Sequence, residues 1–219
     1  MSIPKIIVIE GPDASGKTTA VRYVQEALAR ADVGSWAFHH QAPPVEADDR
    51  SAWSRALAFA AQRAHFATAV ELGGYDKADV IICDRWWHST HVEAFRTSNS
   101  ALGTLAHAEE VALPTPALVI VLDADDHVLD ARMTARGEKV TQADRDRRSI
   151  YRECAGPAKA WVGREGGSIT RGAAPPLVVI DSAGPVSDTA RRVATEVLRA
   201  LGRPVVGWDG DGREVPLVR

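Results

Sequence analysis

The chain has 219 residues, of which 45% are hydrophobic and 25% charged, a balance typical of one globular domain and not of a disordered or fibrous protein. Its 26 basic and 29 acidic residues give a net charge of −3, which argues against a polymeric nucleic acid as partner. The two cysteines lack metal-binding or disulfide spacing and favour the reducing cytoplasm. Because no leader pattern and no long apolar run occur, we expect neither secretion nor a membrane span.

Strand and helix patterns alternate along the chain. The β-branched run Ile6–Ile9 predicts a buried parallel strand, and apolar residues at helical spacing predict a helix that starts near Gly16. A long helix is expected over 51–72, and a last amphipathic helix is expected through Val193 to Leu201. Further strands are predicted at Trp36–Phe38, Val80–Cys83, Ala117–Leu122 and Leu177–Ile180. This alternation predicts an α/β fold with three layers, in which a five-stranded parallel sheet is flanked by helices.

The whole chain, 1–219, is expected to form one domain. Residues Gly163–Pro176 are rich in glycine and proline and are predicted to form a loop. A turn signal after Trp208 predicts a C-terminal hairpin within 203–219.

The strongest motif is a glycine-rich loop, GPDASGKT, which runs from Gly11 to Thr18 and fits GxxxxGK[ST]. It lies between the first strand and the first helix, the context in which backbone N–H groups and the helix N-terminus bind phosphate. Lys17 is expected to neutralise the β and γ phosphates, and Thr18 to serve Mg²⁺. The residues expected to bind a nucleoside triphosphate are Gly11, Asp13, Ala14, Ser15, Gly16, Lys17, Thr18 and Thr19.

An acidic and a basic residue follow the strand at Val80–Cys83. Asp84 and Arg85 therefore emerge at the carboxyl end of a strand, where open α/β sheets form their ligand crevice. Asp84 is suited to hold Mg²⁺, and Arg85 to clamp an anionic group on an acceptor. A plain ion pair at the end of the strand remains the alternative.

Arginines are dense between residues 132 and 148. Arg132 and Arg136 are suited to close over transferring phosphates, to stabilise charge and to exclude water. For Arg145, Arg147 and Arg148, interspersed with acidic residues, the sequence favours ion pairs on a solvated helix.

Phe59 and Arg63 lie one turn apart on the long predicted helix, so a ring and a guanidinium share one face. From spacing alone, packing in the core is the more common role of such a phenylalanine. The histidines lack the cysteine or carboxylate partners of a zinc site, and none is predicted.

Taken together, these segments resemble the thymidylate kinase family, in order from Lys5 to about Leu201. The resemblance rests on IVIEGPDASGKTT at 7–19, FAAQR at 59–63, DRWWHST at 84–90, RMTARGE at 132–138 and VID at 179–181. It implies a P-loop NTPase fold with a small arginine-bearing lid at about 132–148, the cofactors ATP and Mg²⁺, and a homodimer built on helices. The substrate is then a small nucleotide, most simply dTMP.

The resemblance also implies roles for single residues. Phe59 stacks on the base and Arg63 reads its edge. Thr18 and Asp84 hold Mg²⁺. The expected catalytic residues are Lys17, Arg85, Arg132 and Arg136, and the expected acceptor-binding residues are Asp13, Phe59, Arg63, Arg85, Ser89 and Thr90.

The chain departs from the family pattern at two places. The arginine-bearing segment that follows the second strand is replaced by HHQAPP at 39–44, where His40 is a possible substitute. Glu93 stands where the family has a tyrosine beneath the deoxyribose. Three hypotheses therefore stay open: a dTMP kinase, a kinase for another nucleotide or for a nucleoside with Glu10 or Glu93 as base, and a non-catalytic nucleotide-binding regulator.

Overall fold

The structure is a computed structural model, and it describes residues 3–40, 52–155, 175–203, 206–208 and 214–216. Nearly all of the loop predicted at Gly163–Pro176 lies outside these residues, as does the segment that follows His40.

Five strands form one parallel sheet. They are β1 (Lys5–Glu10), β2 (Ser35–His39), β3 (Val80–Asp84), β4 (Leu118–Asp123) and β5 (Leu177–Asp181), in the order β2-β3-β1-β4-β5. The predicted α/β fold is confirmed, including the weak strand at β2, which lies at a sheet edge and is only half-buried. Because β1 lies between β3 and β4, the order of strands reverses beside it, and a ligand crevice is expected at its carboxyl end.

Seven helices are described. They are α1 (Lys17–Arg30), α2 (Ala52–Glu71), α3 (Trp87–Thr97), α4 (Ser100–Ala112), α5 (Asp126–Ala135), α6 (Gln142–Ala155) and α7 (Val186–Ala200). The helix expected over 51–72 is α2. The start of α4 has a side-chain cap, because Asn99 Oδ1 accepts hydrogen bonds from the backbone N–H groups of Ala101 and Leu102.

Two hydrophobic layers cover the sheet, one on each face. Successive residues of a strand point to opposite faces, so Ile7 and Ile9 pack with α1 and α7, whereas Ile6 and Val8 pack with α2, α3 and α6. All the residues of β1 after Lys5 are buried. The first strand is therefore fixed on both sides, and the loop that follows it has a rigid base.

Two short strands lie near the C-terminus. β6 (Val206–Trp208) pairs antiparallel with β7 (Glu214–Pro216). The turn residues 209–213, which suggested a hairpin, lie outside the described residues. Within the described part of the chain, no helix combines the length and the apolar character needed to cross a bilayer.

Candidate active site

The glycine-rich loop follows β1 directly and needs glycine at two positions. Gly11 has φ 141°, and a Cβ there would lie 2.2 Å from the carbonyl oxygen of Leu122 on β4. Gly16 has φ 92° and caps the N-terminus of α1, a conformation that side chains disfavour. The loop therefore packs closely against the sheet and leads directly into α1.

Lys17 opens α1 inside the loop. Its side chain is buried, and its Nζ donates a hydrogen bond of 2.6 Å to the carbonyl oxygen of Pro12. Burial and the positive charge of Arg85 lower the pKa of Lys17 to about 8, against the opposing effect of nearby carboxylates. An anionic phosphate would add negative charge beside this ammonium group and favour its protonated form.

Thr18 and Asp84 bring the loop and the end of β3 together. Thr18 Oγ1 donates a hydrogen bond of 2.7 Å to Asp84 Oδ2. His39 Nδ1 lies 3.5 Å from the same carboxylate oxygen. Two hard oxygen donors therefore face the cavity side by side, which is the donor type that Mg²⁺ prefers.

Arg85 lies at the centre of the site. It forms an ion pair with Asp13, and its Nη1 lies 3.3 Å from Tyr151 Oη and 3.4 Å from both Ser89 Oγ and the carbonyl oxygen of Gly11. Burial alone would raise the pKa of Asp13, but the charges of Arg85, Lys17 and two further arginines lower it. The backbone of Arg85 has φ 74°, a strained conformation of the kind that clusters at functional sites.

Glu10, the last residue of β1, binds three groups near Arg85. Its buried carboxylate accepts hydrogen bonds from the backbone N–H of Trp86 at 2.6 Å, from Ser89 Oγ at 2.9 Å and from Tyr151 Oη at 2.9 Å. Burial raises the pKa of Glu10, although the charge of Arg85 and these hydrogen bonds oppose the shift. The sequence did not single out Tyr151, because only the fold brings α6 to the end of β1.

A cavity of about 610 Å³ opens between the loop, α2 and α3. It unites most of the predicted groups, which are distant along the chain. Its predicted lining residues are Asp13, Ala14, Gly16, Lys17, Thr18, Thr19, Phe59, Arg63, Asp84, Arg85, Ser89, Thr90 and Arg136. Arg55, Arg147 and Tyr151 also line it and were not expected there.

Phe59 and Arg63 form one wall of this cavity. The Phe59 ring meets the His40 ring edge-on, with centroids 5.2 Å apart. His40 Nδ1 lies 3.2 Å from the backbone oxygen of Asp84, and His40 Nε2 lies 3.1 Å from Arg63 Nη1. Burial and the charge of Arg63 lower the pKa of His40 to about 3, so His40 is neutral and cannot supply the positive charge of a missing arginine.

Glu93 also lines the cavity, and arginines hold its carboxylate. Arg96 pairs with it on the same helix, and Arg147 Nε lies 3.1 Å from Glu93 Oε2. Burial alone would raise the pKa of Glu93, but these hydrogen bonds and charges lower it. The ion pair joins α3 to α6, and Arg147 lines the cavity while it also forms an ion pair with Asp144 on its own helix, as the sequence predicted.

The other arginines of this region differ in environment. Arg145 is half-exposed and lies 3.5 Å from Asp130, as expected for a surface ion pair. The same expectation is wrong for Arg148, whose side chain is 1% exposed and lies 2.5 Å from Asp130. Contacts with α5 bury Arg148, since its Nη1 lies 3.4 Å from the backbone oxygen of Asp126 and its Nη2 lies 3.3 Å from the Met133 sulfur.

A second cavity, of about 310 Å³, lies on the other side of the loop. Arg132 lines this cavity only and donates a hydrogen bond of 2.7 Å to the carbonyl oxygen of Ser182. Arg136 lines both cavities and pairs with Glu138 at 2.8 Å. The two arginines therefore share the second cavity, and only Arg136 also lines the larger one. Ser15 is buried and lines the second cavity.

Comparison with known proteins agrees with this geometry. The sequence model of the thymidylate kinase family matches residues 9–162. A thymidylate kinase of Mycoplasma capricolum subsp. capricolum is 29% identical over 146 residues, which cover 60% of this chain and 68% of the relative. A thymidylate kinase of Pelotomaculum thermopropionicum is 28% identical over 167 residues, which cover 68% of this chain and 75% of the relative. Because the family match extends from β1 past α6 and includes the whole lining of the larger cavity, the chain belongs to the thymidylate kinase family.

Proposed function

We propose that the protein transfers the γ-phosphoryl group of ATP to dTMP, giving ADP and dTDP. One observation carries the proposal: a single cavity contains the phosphate loop, the Thr18–Asp84 pair, Arg85, and the Phe59–Arg63 wall. Donor phosphates at the loop and an acceptor on that wall would meet beside Arg85. Family membership supports the choice of dTMP.

The donor phosphates would bind around the start of α1. The loop N–H groups and Lys17 suit the β and γ phosphates. The smaller cavity, with Arg132 beside Ser182, suits the donor base on the far side of the loop. Ser15, Thr19 and Ala14 line that cavity too, which supports a role in binding ATP.

Mg²⁺ would be held by Thr18 and Asp84. In the described part of the chain, no group of three or more His, Cys, Asp or Glu side chains could hold a metal by itself, so phosphate oxygens and water would complete the six ligands. When bound, the ion would neutralise charge on the phosphates.

The chemistry needs positioning and charge more than a base. An oxygen of the dTMP phosphate attacks the γ-phosphorus, a new P–O bond forms, and the bond to the β-phosphate oxygen breaks to release ADP. The attacking oxygen is already anionic, so no proton must be removed. Arg85 and Arg136 line the cavity as cations, and preorganised cations of this kind stabilise the transition state.

A nucleoside acceptor is less well supported, because its hydroxyl group requires a general base. Glu10 is buried, does not line the cavity, and accepts three hydrogen bonds. Glu93 lines the cavity but is paired with two arginines. Neither carboxylate is free to accept a proton from a sugar hydroxyl. A non-catalytic regulator is disfavoured because Lys17, Thr18, Asp84 and Arg85 are all retained and converge.

We propose a cytoplasmic homodimer as the working form, with one domain over 1–219. Trp53 and Leu57, one turn apart on α2, have exposed fractions of 38% and 42%. An apolar helix face of this kind favours contact between copies. Sedimentation equilibrium would find a dimer for the wild type and a monomer for Leu57→Glu; a monomeric wild type would reject this part of the proposal.

The defining experiment follows ADP formation with ATP, Mg²⁺ and a panel of deoxynucleoside monophosphates and free nucleosides. Selective turnover of dTMP is expected. Activity with nucleosides alone would replace the proposal by the second hypothesis, and absence of turnover with every acceptor would favour the regulator.

A further inference from the structure

Arg63 is almost entirely enclosed, although it lines the cavity. Its side chain is 1% exposed. Glu109 on α4 binds it at two points, Nε to Oε1 at 2.5 Å and Nη2 to Oε2 at 2.9 Å. Two parallel bonds of this kind fix both the position and the plane of a guanidinium group.

Two further groups complete the environment of Arg63. Its Nη2 donates a hydrogen bond of 2.7 Å to Thr90 Oγ1, and Thr90 Oγ1 donates one of 2.9 Å to Glu109 Oε2. Its Nη1 lies 3.1 Å from His40 Nε2, and because a guanidinium nitrogen can only donate, His40 Nε2 accepts the bond. The His40 tautomer follows, since Nδ1 donates to the backbone oxygen of Asp84.

The number of donors then limits what Arg63 can read. A guanidinium group has five N–H bonds and no acceptor. Four of them are used, one on Nε, two on Nη2 and one on Nη1. Among the residues that the structure describes, none accepts the second Nη1 hydrogen, which leaves it for a ligand in the cavity that Arg63 lines. A base that meets it must present a hydrogen-bond acceptor, such as a carbonyl oxygen, and not an amino group.

A contribution to folding stability does not readily explain why Glu109 is paired with Arg63 in the interior. The Glu109 side chain is 7% exposed and does not line the cavity. A buried ion pair loses much of its Coulomb attraction to the cost of desolvation, and an apolar pair would often serve stability better. The ion pair between Glu109 and Arg63 instead fixes the position of the guanidinium group.

We infer that Glu109 is a positioning residue for acceptor recognition: it holds Arg63 so that one N–H faces the base and selects a carbonyl over an amino group at that edge. The inference rests on the proposed function, in which Phe59 and Arg63 bind the acceptor base. Glu109 does not line the cavity and acts through the two cavity residues that it binds, Arg63 and Thr90.

The test compares Glu109→Gln, which removes the charge and keeps the shape, with Glu110→Gln as the matched control. Glu110 is the next residue on α4, and its partner is His107 at 3.6 Å. We expect Glu109→Gln to raise the KM for dTMP by about tenfold, the equivalent of one good hydrogen bond, and to reduce the preference for dTMP over dCMP. The KM for ATP should stay within about twofold, and Glu110→Gln should match the wild type.

A conservative variant keeps the test decisive if Glu109→Gln does not fold. Glu109→Asp keeps the charge but shortens the side chain by one methylene, so it should raise the KM for dTMP by a smaller factor than Glu109→Gln. An unchanged KM for dTMP and unchanged base preference in Glu109→Gln and Glu109→Asp would overturn the inference, as would equal losses for dTMP and ATP.

The wild-type assay separates this inference from the proposed function. If the wild type does not turn over dTMP, the proposed function fails, and the same variants are measured with the acceptor that the wild type does use. A selective rise in the KM for that acceptor would retain the positioning role of Glu109. Wild-type turnover of dTMP with no effect in the variants would reject Glu109 alone.

Discussion

Thr18 on α1 donates a hydrogen bond of 2.7 Å to Asp84 at the end of β3, although 66 residues separate them. The bond exists because β1 and β3 are neighbours in a parallel sheet, with Ile9 opposite Asp84. Parallel strands bring their carboxyl ends to one edge, so the last residue of β3 and the loop that leads from β1 to Thr18 face the same crevice. The two oxygens are thereby preorganised as a pair for a divalent cation.

The first prediction concerns this pair. Asp84→Asn and Thr18→Ala should each raise the Mg²⁺ concentration needed for half-maximal ADP formation by about tenfold or more, because each removes a hard oxygen donor or its charge. Thr18→Ser keeps the hydroxyl group and should titrate like the wild type. An unchanged Mg²⁺ midpoint in Asp84→Asn would exclude the assignment.

The second prediction concerns Lys17 and pH. Since its pKa in the unliganded protein is about 8, the charged form is lost as pH rises through 8, well below the ordinary value near 10.4. Affinity for ATP should therefore fall between about pH 7.5 and 9, and binding above pH 8 should take up protons. Isothermal calorimetry in buffers with different ionisation heats measures this uptake.

Lys17→Arg provides the control, because arginine stays charged throughout this range. The ATP affinity of Lys17→Arg should stay constant between pH 7.5 and 9, whereas that of the wild type should fall. Equal pH dependence in both proteins would assign the transition to another group.

The third prediction concerns Arg85. Arg85→Ala should lower kcat by about a hundredfold or more, because the site loses a cation aimed at developing charge. The variant should still fold, because both apolar layers on the sheet are independent of Arg85, but its melting temperature should fall because buried Glu10 and Tyr151 lose a neighbouring cation. Arg85→Lys should recover only part of the activity, because lysine lacks the planar fork. Full activity in Arg85→Ala would refute the role.

Some of this arrangement could be predicted from the sequence and some could not. β1 and the phosphate loop were predictable because an all-apolar β-branched run followed directly by correctly spaced glycines and Lys17 is typical of a buried strand that leads into a phosphate-binding turn. Arg63 was predictable only through family resemblance. Its partner Glu109 lies 46 residues away on a helix that contains no recognisable motif. Arg147 lines the cavity because of the way in which α6 packs against α3. Pairings of this kind depend on tertiary contacts and leave no local pattern.

The fourth prediction uses the different positions of Arg132 and Arg136. Arg132 lines only the smaller cavity, so Arg132→Ala should raise the KM for ATP with a smaller effect on kcat. Arg136 lines the larger cavity as well, and Arg136→Ala should lower kcat more than it raises the KM for ATP. Steady-state kinetics with varied ATP and saturating dTMP would measure kcat and the KM for ATP in both variants. Identical kinetic defects would mean that the two arginines act together.

The fifth prediction concerns stability in mild acid. Burial lowers the pKa of both His40 and His88 to about 3, against about 6.5 in an unfolded chain. Between these values the unfolded state binds more protons than the folded state, so the free energy of unfolding must fall as pH falls below 6.5. Each such histidine contributes a slope of about 1.4 kcal/mol per pH unit.

Urea unfolding of the wild type between pH 6.5 and 5 should therefore give a free energy of unfolding that decreases with falling pH, before most carboxylates titrate. His40→Gln removes one of these groups, and its slope should become shallower by an amount that approaches about 1.4 kcal/mol per pH unit near pH 5, whatever its stability at pH 7. His107 is half-exposed, so His107→Gln should keep the wild-type slope. Parallel slopes for His40→Gln and the wild type would mean that His40 is accessible to protons in the folded protein, and the neutral contact between His40 and Arg63 would then be lost at acid pH.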